Sequence, residues 1–92
     1  SAQVRLPTVF REHAGGAPTV EIAGATVGEV LDRLVQTHSG LTSQMFTSDR
    51  QLHKHIVVYV NDDDIRYTGG MDTAVADGSV ISLLPAVAGG TS

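Results

Sequence analysis

The chain has 92 residues, of which 41% are hydrophobic and 17% charged, and its formal net charge is -4. This length and composition are typical of one globular domain with a modest core rather than of a disordered segment. The absence of cysteine excludes disulfides, cysteine-ligated metal centres and a catalytic thiol. With only six Lys and Arg and no basic cluster, a nucleic-acid surface is not expected, and the acidic balance favours a basic or mixed-charge protein partner.

The sequence contains no targeting or membrane segment that we can recognise. No apolar run approaches the roughly 18 residues that cross a membrane. The N-terminal stretch "SAQVRLPTVF" lacks the uninterrupted apolar segment of a signal peptide. We therefore expect a cytoplasmic protein without membrane contacts.

The first two predicted strands form a hairpin. Apolar and polar residues alternate over residues 3–8, and Pro7 suggests an exposed edge or a bulge near the end of this strand. The stretch "FREHAGGAP" is typical of a turn. In the second strand, residues 19–23, Val20 and Ile22 share one face.

One long helix is predicted over residues 26–40. Thr26 and Glu29 have the spacing of a capping box, in which two side chains satisfy free backbone N–H groups at the helix start. Gly40 is predicted to be a left-handed C-terminal stop, and residues 41–46 a short second helical turn. The core-facing stripe follows helical spacing and comprises Val27, Val30, Leu31, Leu34 and Val35.

The second half of the chain supplies the remaining strands. "IVVYVNDDDIRY" predicts a strand, a tight acidic turn and a short strand, and "SVISLLP" predicts the last strand. The order β-β-α-β-(β)-β places one main helix across a mixed sheet of four to five strands. This α+β arrangement is the β-grasp, or ubiquitin-like, order. We expect a β-grasp domain over residues 1–86 and a flexible tail over residues 87–92.

Strand periodicity predicts apolar side chains on the open face of the sheet. Alternation places Ile56, Val58 and Val60 in the core, and Ser82 shares its side with Leu84, so Leu84 is expected to face solvent. Two interpretations remain open: a patch that binds a partner, or the scattered apolar exposure of any soluble protein. The patch would contain Val57, Tyr59, Leu84, Pro85 and Val87.

Enzymatic and metal sites are not evident. The run "NDDD" lacks the spaced ligands of a calcium loop, so a solvated turn is favoured. His53 and His55 could share a strand face, but no third metal ligand is obvious. No serine lies in a nucleophile motif, and there is no phosphate loop or dinucleotide fingerprint. We therefore expect a protein on which enzymes act, without a bound metal or cofactor.

The chain closes with "LLPAVAGGTS". Two other glycine pairs, Gly15-Gly16 and Gly69-Gly70, fall in predicted turns, so the dipeptide alone is not specific. Because glycine has no Cβ, a glycine pair lets the backbone thread a narrow channel and bring a terminal carboxylate to a reactive centre in another protein. The alternative is an inert terminus or linker.

Three stretches, "LPTVFREHAGG", "YVNDDDIRYTGG" and "ADGSVISLLPAVAGG", resemble the ubiquitin-like sulfur carriers of the ThiS/MoaD family, most of all its CysO type. They span nearly the whole domain, and "LPAVAGG" is the most specific piece. The resemblance implies a carrier that supplies sulfur to the biosynthesis of cysteine, thiamin, molybdopterin or a secondary metabolite. A cysteine synthase-like or thiazole synthase-like enzyme would accept the sulfur.

The resemblance also implies roles for individual residues. An E1-like enzyme would use ATP to adenylate the carboxylate of Gly90, and a sulfur source would convert the adenylate to a thiocarboxylate. The tail residues that thread into the enzyme would be Val87, Ala88 and Gly89. The residues that dock the activating enzyme would be Arg11, Val57, Tyr59, Leu84 and Pro85.

Thr91 and Ser92 depart from the family pattern, in which active carriers end at Gly-Gly. Either a JAMM-type zinc peptidase removes them from a natural precursor, which we favour, or they are a cloning remnant. Two other functions remain open. The chain could be a ubiquitin-like modifier joined to target lysines through Gly90, or a β-grasp binding domain with an inert tail.

Overall fold

The computed structural model describes residues 1–49 and 51–85. Five strands form one mixed sheet in the order β2-β1-β5-β3-β4, and the main helix packs across one face. The strands are β1 (Ala2–Arg5), β2 (Thr19–Ile22), β3 (Ile56–Val60), β4 (Asp63–Asp64) and β5 (Val80–Pro85). The helices are α1 (Thr8–Arg11), α2 (Val27–Thr37) and α3 (Thr42–Met45). The predicted β-grasp order is confirmed.

The central strand β5 runs parallel to β1, and every other pairing in the sheet is antiparallel. Val4 of β1 pairs with Ile81 of β5, which pairs with Val60 of β3. Because side chains alternate along a strand, this row faces α2 and is buried. The prediction that Ile56, Val58 and Val60 face the core is confirmed.

The start of α2 has the predicted capping box. The backbone N–H of Glu29 donates to Thr26 Oγ1 at 3.2 Å, and the N–H of Ala25 donates to Glu29 Oε1 at 2.9 Å. The apolar stripe of the helix is buried against the sheet except for Val35, which is half-buried. The cap therefore fixes where the helix begins, and burial of its stripe holds it on the sheet.

Replacing Thr26 with alanine is expected to lower the free energy of unfolding by about 1 kcal/mol, because an N-cap hydroxyl is lost. Urea denaturation followed by circular dichroism measures the change. Thr37→Ala is the matched control, since Thr37 is the exposed last residue of α2 and its loss is expected to change stability by less than about 0.5 kcal/mol. Equal effects of the two substitutions would contradict the capping role.

The predicted stop at Gly40 is wrong. The helix ends at Thr37, and Gly40 is not among the residues with positive φ. The chain instead continues through His38, with φ -124° and ψ 78°, into a 3₁₀ turn over Ser39–Leu41. The His38 and Leu41 N–H groups donate to Leu34 and His38 carbonyls, so the helix end needs no left-handed residue. The second helical turn predicted for residues 41–46 is present as α3.

The exposed strand edge predicted at Pro7 is wrong, and the turn predicted after it forms only around Gly15 and Gly16. β1 lies inside the sheet and ends at Arg5, and Pro7 is the residue that precedes α1. The first residues of that segment instead belong to α1 and to a 3₁₀ turn over Glu12–Ala14. Proline has no N–H to donate and suits a helix start, and burial of Phe10 holds the segment against the core.

The acidic run forms more structure than a bare turn. Asp63–Asp64 is itself the short strand β4, paired with β3, while the predicted strand "IRY" is a 3₁₀ turn. Asp64 caps this turn by accepting the Arg66 N–H at 2.9 Å. The buried side chain of Ile65 packs the turn against the core. The cap by Asp64 and the burial of Ile65 therefore stabilise a 3₁₀ turn where a strand was expected.

Candidate protein-docking site

The open face of the sheet carries a groove of about 490 Å³, which we call the sheet groove. It lies between the start of α1 and the outward side chains of β5 and β3. Its lining residues are Arg5, Leu6, Pro7, Arg11, Pro18, Thr19, Tyr59, Asn61, Asp62, Ser82, Leu83 and Leu84. The groove therefore ends beside the last residues of β5, the strand from which the tail leaves.

Strand register brings the groove residues into one row. Arg5 pairs with Ser82, and Ser82 pairs with Tyr59. Paired residues of neighbouring strands project on the same side of a sheet. Leu84, opposite Val57, lies one pair further along. The polar row of Arg5, Ser82 and Tyr59, in which Arg5 is the one cation, therefore lies next to the apolar pair of Val57 and Leu84.

Leu84 is the apolar residue that this face exposes most. Its exposed fraction is 49%, whereas that of its neighbour Leu83 is 1%. The predicted outward direction of Leu84 is confirmed. Val57 and Tyr59 are half-buried, and of these two only Tyr59 lines the groove. The side chain of Pro85 and the whole of Val87 lie outside the described residues.

Arg11 is held at the groove by a backbone contact. Its Nε donates to the Leu6 carbonyl at 3.1 Å, which fixes the half-buried side chain. Within residues 1–49 and 51–85, neither Arg11 nor Arg5 forms an ion pair. Asp62 is the acidic residue in the lining. Two arginines with unused donors suit a carboxylate on a partner, because a guanidinium binds carboxylates with two parallel hydrogen bonds.

At the neighbouring edge of the sheet, Asp64 of β4 is paired with Arg66. Arg66 Nη2 donates to Asp64 Oδ2 at 2.7 Å. The side-chain hydrogen bonds from Arg66, with its backbone N–H and its charge, lower the pKa of Asp64 below its ordinary value. Asp64 is therefore an ionised, paired carboxylate near neutral pH and not a free ligand.

The structure brings no metal site together in the part of the chain it describes: no three His, Cys, Asp or Glu residues of that part are grouped as ligands. The His53 and His55 rings lie 5.2 Å apart, and His53 Nε2 lies 3.2 Å from the Ser43 carbonyl oxygen. No helix in the same part is both long and apolar enough to cross a membrane.

Two of the three glycine pairs occupy positions whose backbone angles favour glycine. Gly15 and Gly16 have φ of 68° and 83°, and Gly69 and Gly70 have φ of 133° and 62°, all in turns. These positive angles favour glycine because it has no Cβ. The remaining tail residues with predicted roles lie outside the described residues, and their roles stay predictions: Val87, Ala88, Gly89, Gly90, Thr91 and Ser92.

The sequence identifies Arg11, Tyr59 and Leu84 as docking residues, but most of the groove is not evident from it. Arg5 was detectable, since alternation in β1 places it opposite the buried Val4. The sequence assigns no docking role to Asn61 or Asp62. Their place in the groove depends on the hydrogen bonds that close their turn onto β5, including Val80 N–H to Asn61 Oδ1 at 3.1 Å.

Comparison with known proteins places the fold in a family. The ThiS family matches residues 4–90. The chain therefore belongs to the ThiS family, and the resemblance to ubiquitin-like proteins of the ThiS/MoaD type is confirmed.

Individual relatives sharpen this assignment. The chain is 43% identical over 89 residues to the sulfur carrier protein CysO of Mycobacterium tuberculosis, covering 95% of this chain and 96% of that protein. A chain in the crystal structure of the Amycolatopsis orientalis BexX/CysO complex superposes with a TM-score of 0.87 and 43% identity, covering 98% of this chain and 100% of that one. Small archaeal modifier protein 1 of Haloferax volcanii is 37% identical over 78 residues, or 82% and 85% of the two chains.

Proposed function

We propose that this protein is a sulfur carrier of the CysO type whose Gly90 carboxylate is converted to a thiocarboxylate. The observation that carries the proposal is the 43% identity to the sulfur carrier protein CysO over 95% of the chain. The ThiS family match extends through Gly90, so the glycine pair falls within the family's aligned region. The carrier is the substrate of other enzymes and supplies no catalytic group.

The chemistry proceeds in two steps on the Gly90 carboxyl carbon. A carboxylate oxygen attacks the α-phosphate of ATP and releases pyrophosphate, which leaves an acyl-adenylate. A sulfur nucleophile then displaces AMP, so that a C–S bond replaces a C–O bond. Covalent activation of this kind divides a difficult substitution into two easier steps. ATP belongs to the activating enzyme, and this chain supplies the carboxylate and the surface that positions it.

The sheet groove suits the docking of the activating enzyme. Gly90 lies five residues after Pro85 at the end of β5, so the intervening chain spans at most about 18 Å. An enzyme that holds the groove beside Leu84 can therefore receive Gly90 in a reactive centre within that distance. The relative in the BexX/CysO complex was crystallised with a second protein, which supports a protein partner here.

Adenylation requires a free carboxylate, and in the 92-residue chain the Gly90 carbonyl is an amide to Thr91. We propose that a zinc peptidase of the JAMM type removes Thr91 and Ser92 before activation. The sulfur would then pass to a synthase that accepts it.

ATP–pyrophosphate exchange tests the activation step. With its cognate activating enzyme, the chain ending at Gly90 is expected to stimulate exchange, because its carboxylate forms the adenylate reversibly. The chain ending at Gly89 is the control and is expected to give background exchange, since its carboxylate is one residue short. Equal exchange with both chains would contradict the assignment of Gly90.

Arg11→Ala is expected to weaken binding of the activating enzyme about 5- to 30-fold, the range for loss of an interfacial arginine worth 1–2 kcal/mol. Arg33→Ala is the matched control, because Arg33 Nη1 also donates to a backbone carbonyl, that of Ala23 at 2.9 Å, but lies on the helix side. Isothermal titration calorimetry measures both variants. Equal weakening by both would remove Arg11 from the docking site.

A second candidate function is a protein modifier joined to lysines through Gly90. The similarity to small archaeal modifier protein 1 favours it, and it needs the same activated carboxylate. Mass spectrometry of cell lysate distinguishes the two functions. Lysine side chains joined to Gly90 would support the modifier, whereas a thiocarboxylate without such conjugates would support the carrier alone.

A further inference from the structure

The molecule has a second groove, which shares no residue with the sheet groove. It has a volume of about 380 Å³ and lies on the helix side of the domain. We call it the helix groove. Its apolar lining is Val35 of α2, Phe46 after α3, and Met71 in the loop before β5. All three side chains are half-buried and pack against the core, so each keeps part of its apolar surface in contact with solvent.

The walls of the helix groove are fixed by backbone contacts. The Val27 N–H donates to the Thr73 carbonyl at 3.0 Å, and the Val75 N–H donates to the Ala25 carbonyl at 2.9 Å. These bonds hold the loop that carries Met71 against the start of α2. Gly28 lies at the contact, where an added Cβ would stand 3.2 Å from the Met71 carbonyl oxygen. The groove is therefore preformed, which reduces the entropy lost when a ligand binds.

The charged lining of the helix groove is acidic. Gly28, Asp32 and Val35 are four and three residues apart, which places them on one face of α2. Glu29 lies beside Asp32, and both are exposed. No Lys or Arg lines the groove in the described part of the chain, and neither carboxylate forms an ion pair there.

The two carboxylates keep acceptor capacity for a partner. Glu29 uses one oxygen, Oε1, for the capping box, and Asp32 Oδ2 accepts from Gln36 Nε2 at 3.0 Å. Arg33, the basic residue of α2, is bonded to the Ala23 carbonyl. An ionised carboxylate accepts about four hydrogen bonds, so both side chains can still bind cations.

We propose that the helix groove binds a basic segment of a partner protein. An apolar side chain of that segment enters between Val35, Phe46 and Met71, and flanking Lys or Arg side chains pair with Glu29 and Asp32. The acidic lining and the net charge of -4 attract such a segment and disfavour an acidic one. Because α2 and the sheet groove lie on opposite faces of the sheet, one partner can occupy each groove at the same time.

The test uses two defined peptides and the 92-residue chain labelled with ¹⁵N. One is a short amphipathic helical peptide of leucine and lysine, and in the other every lysine is replaced by glutamate. The lysine peptide is expected to shift the amide signals of Gly28, Val35, Phe46 and Met71 saturably. The glutamate peptide is expected to leave these signals unchanged.

Two charge reversals separate local pairing from overall charge. Asp32→Lys is expected to weaken binding of the lysine peptide at least about fivefold, because a rim attraction becomes a repulsion. Glu21→Lys, an equal charge change at an exposed residue of β2, is expected to alter affinity less than twofold. Asp32→Asn, which keeps the shape of the side chain, is expected to give an intermediate loss, and the dispersion of the amide spectrum verifies that each variant is folded.

Three results would overturn the proposal: no saturable shifts at millimolar lysine peptide, shifts confined to the sheet groove, or equal losses for Asp32→Lys and Glu21→Lys. The last result would mean that only overall charge attracts the peptide. Each readout is independent of sulfur loading, because neither a carboxylate at Gly90 nor an activating enzyme takes part.

Discussion

Alanine at Leu83 is expected to destabilise the fold, and alanine at Leu84 to impair partner binding while leaving the fold intact. The two residues are adjacent in β5, with exposed fractions of 1% and 49%. Loss of the buried leucine leaves a cavity between the sheet and α2 and costs about 2–5 kcal/mol. Since small domains are stable by about 5–15 kcal/mol, Leu83→Ala removes a large part of the total.

Leu84→Ala removes a side chain that already contacts water, so its cost in unfolding free energy is expected to be below about 1 kcal/mol. In the proposed complex the same side chain is desolvated. Its removal is therefore expected to weaken binding of the activating enzyme about tenfold or more, which corresponds to at least about 1.4 kcal/mol. Urea denaturation measures the free energy of unfolding of both variants, and calorimetric titration measures their affinity for the activating enzyme.

The pair is a matched experiment, because the residue type, the strand and the substitution are the same. Similar losses of stability at the two positions would contradict the face assignment of β5. An unchanged affinity for Leu84→Ala would contradict the role of the sheet groove in docking.

The parts of the fold that could be predicted were those set by local rules. The capping box of Thr26 and Glu29 and the apolar stripe of α2 act within one or two helical turns, so spacing alone reveals them. The two-residue alternation of β5 likewise predicted the direction of Leu84. Element order then sufficed for the β-grasp arrangement.

The errors arose where tertiary contacts override local signals. Pro7 suggested a strand edge, but burial of Phe10 makes the following residues helical. Gly40 predicts a left-handed stop for α2, whereas the chain turns into a 3₁₀ segment whose Leu41 is fully buried. Burial of Phe10 and Leu41 depends on the rest of the core, and the helix propensity of a local segment does not include such tertiary contacts.

The candidate site was only partly visible for the same reason. Arg5 and Ser82 meet through the parallel pairing of β1 with β5, strands that lie at opposite ends of the sequence. The helix groove combines Val35, Phe46 and Met71 from three separate segments. No local pattern joins these residues, whereas the tail "LPAVAGG" could be recognised because it is contiguous.

The second large effect is expected on sulfur loading, which depends on whether Thr91 and Ser92 follow Gly90. In the proposed function, a chain that ends at Gly90 has a free carboxylate, which the activating enzyme adenylates and sulfur then replaces at one oxygen. In the 92-residue chain, the Gly90 carbonyl is bonded to Thr91, and an amide cannot attack ATP as a carboxylate does. We therefore expect the presence or absence of two residues to switch sulfur loading between none and nearly complete.

The most direct measurement is the intact mass of both chains after incubation with the activating enzyme, ATP and sulfide. The chain ending at Gly90 is expected to gain about 16 Da, because sulfur replaces one carboxylate oxygen through the acyl intermediate. The 92-residue chain is expected to keep its mass until a peptidase removes Thr91 and Ser92. An unchanged mass for the chain ending at Gly90, or direct loading of the 92-residue chain, would contradict the proposed carrier function.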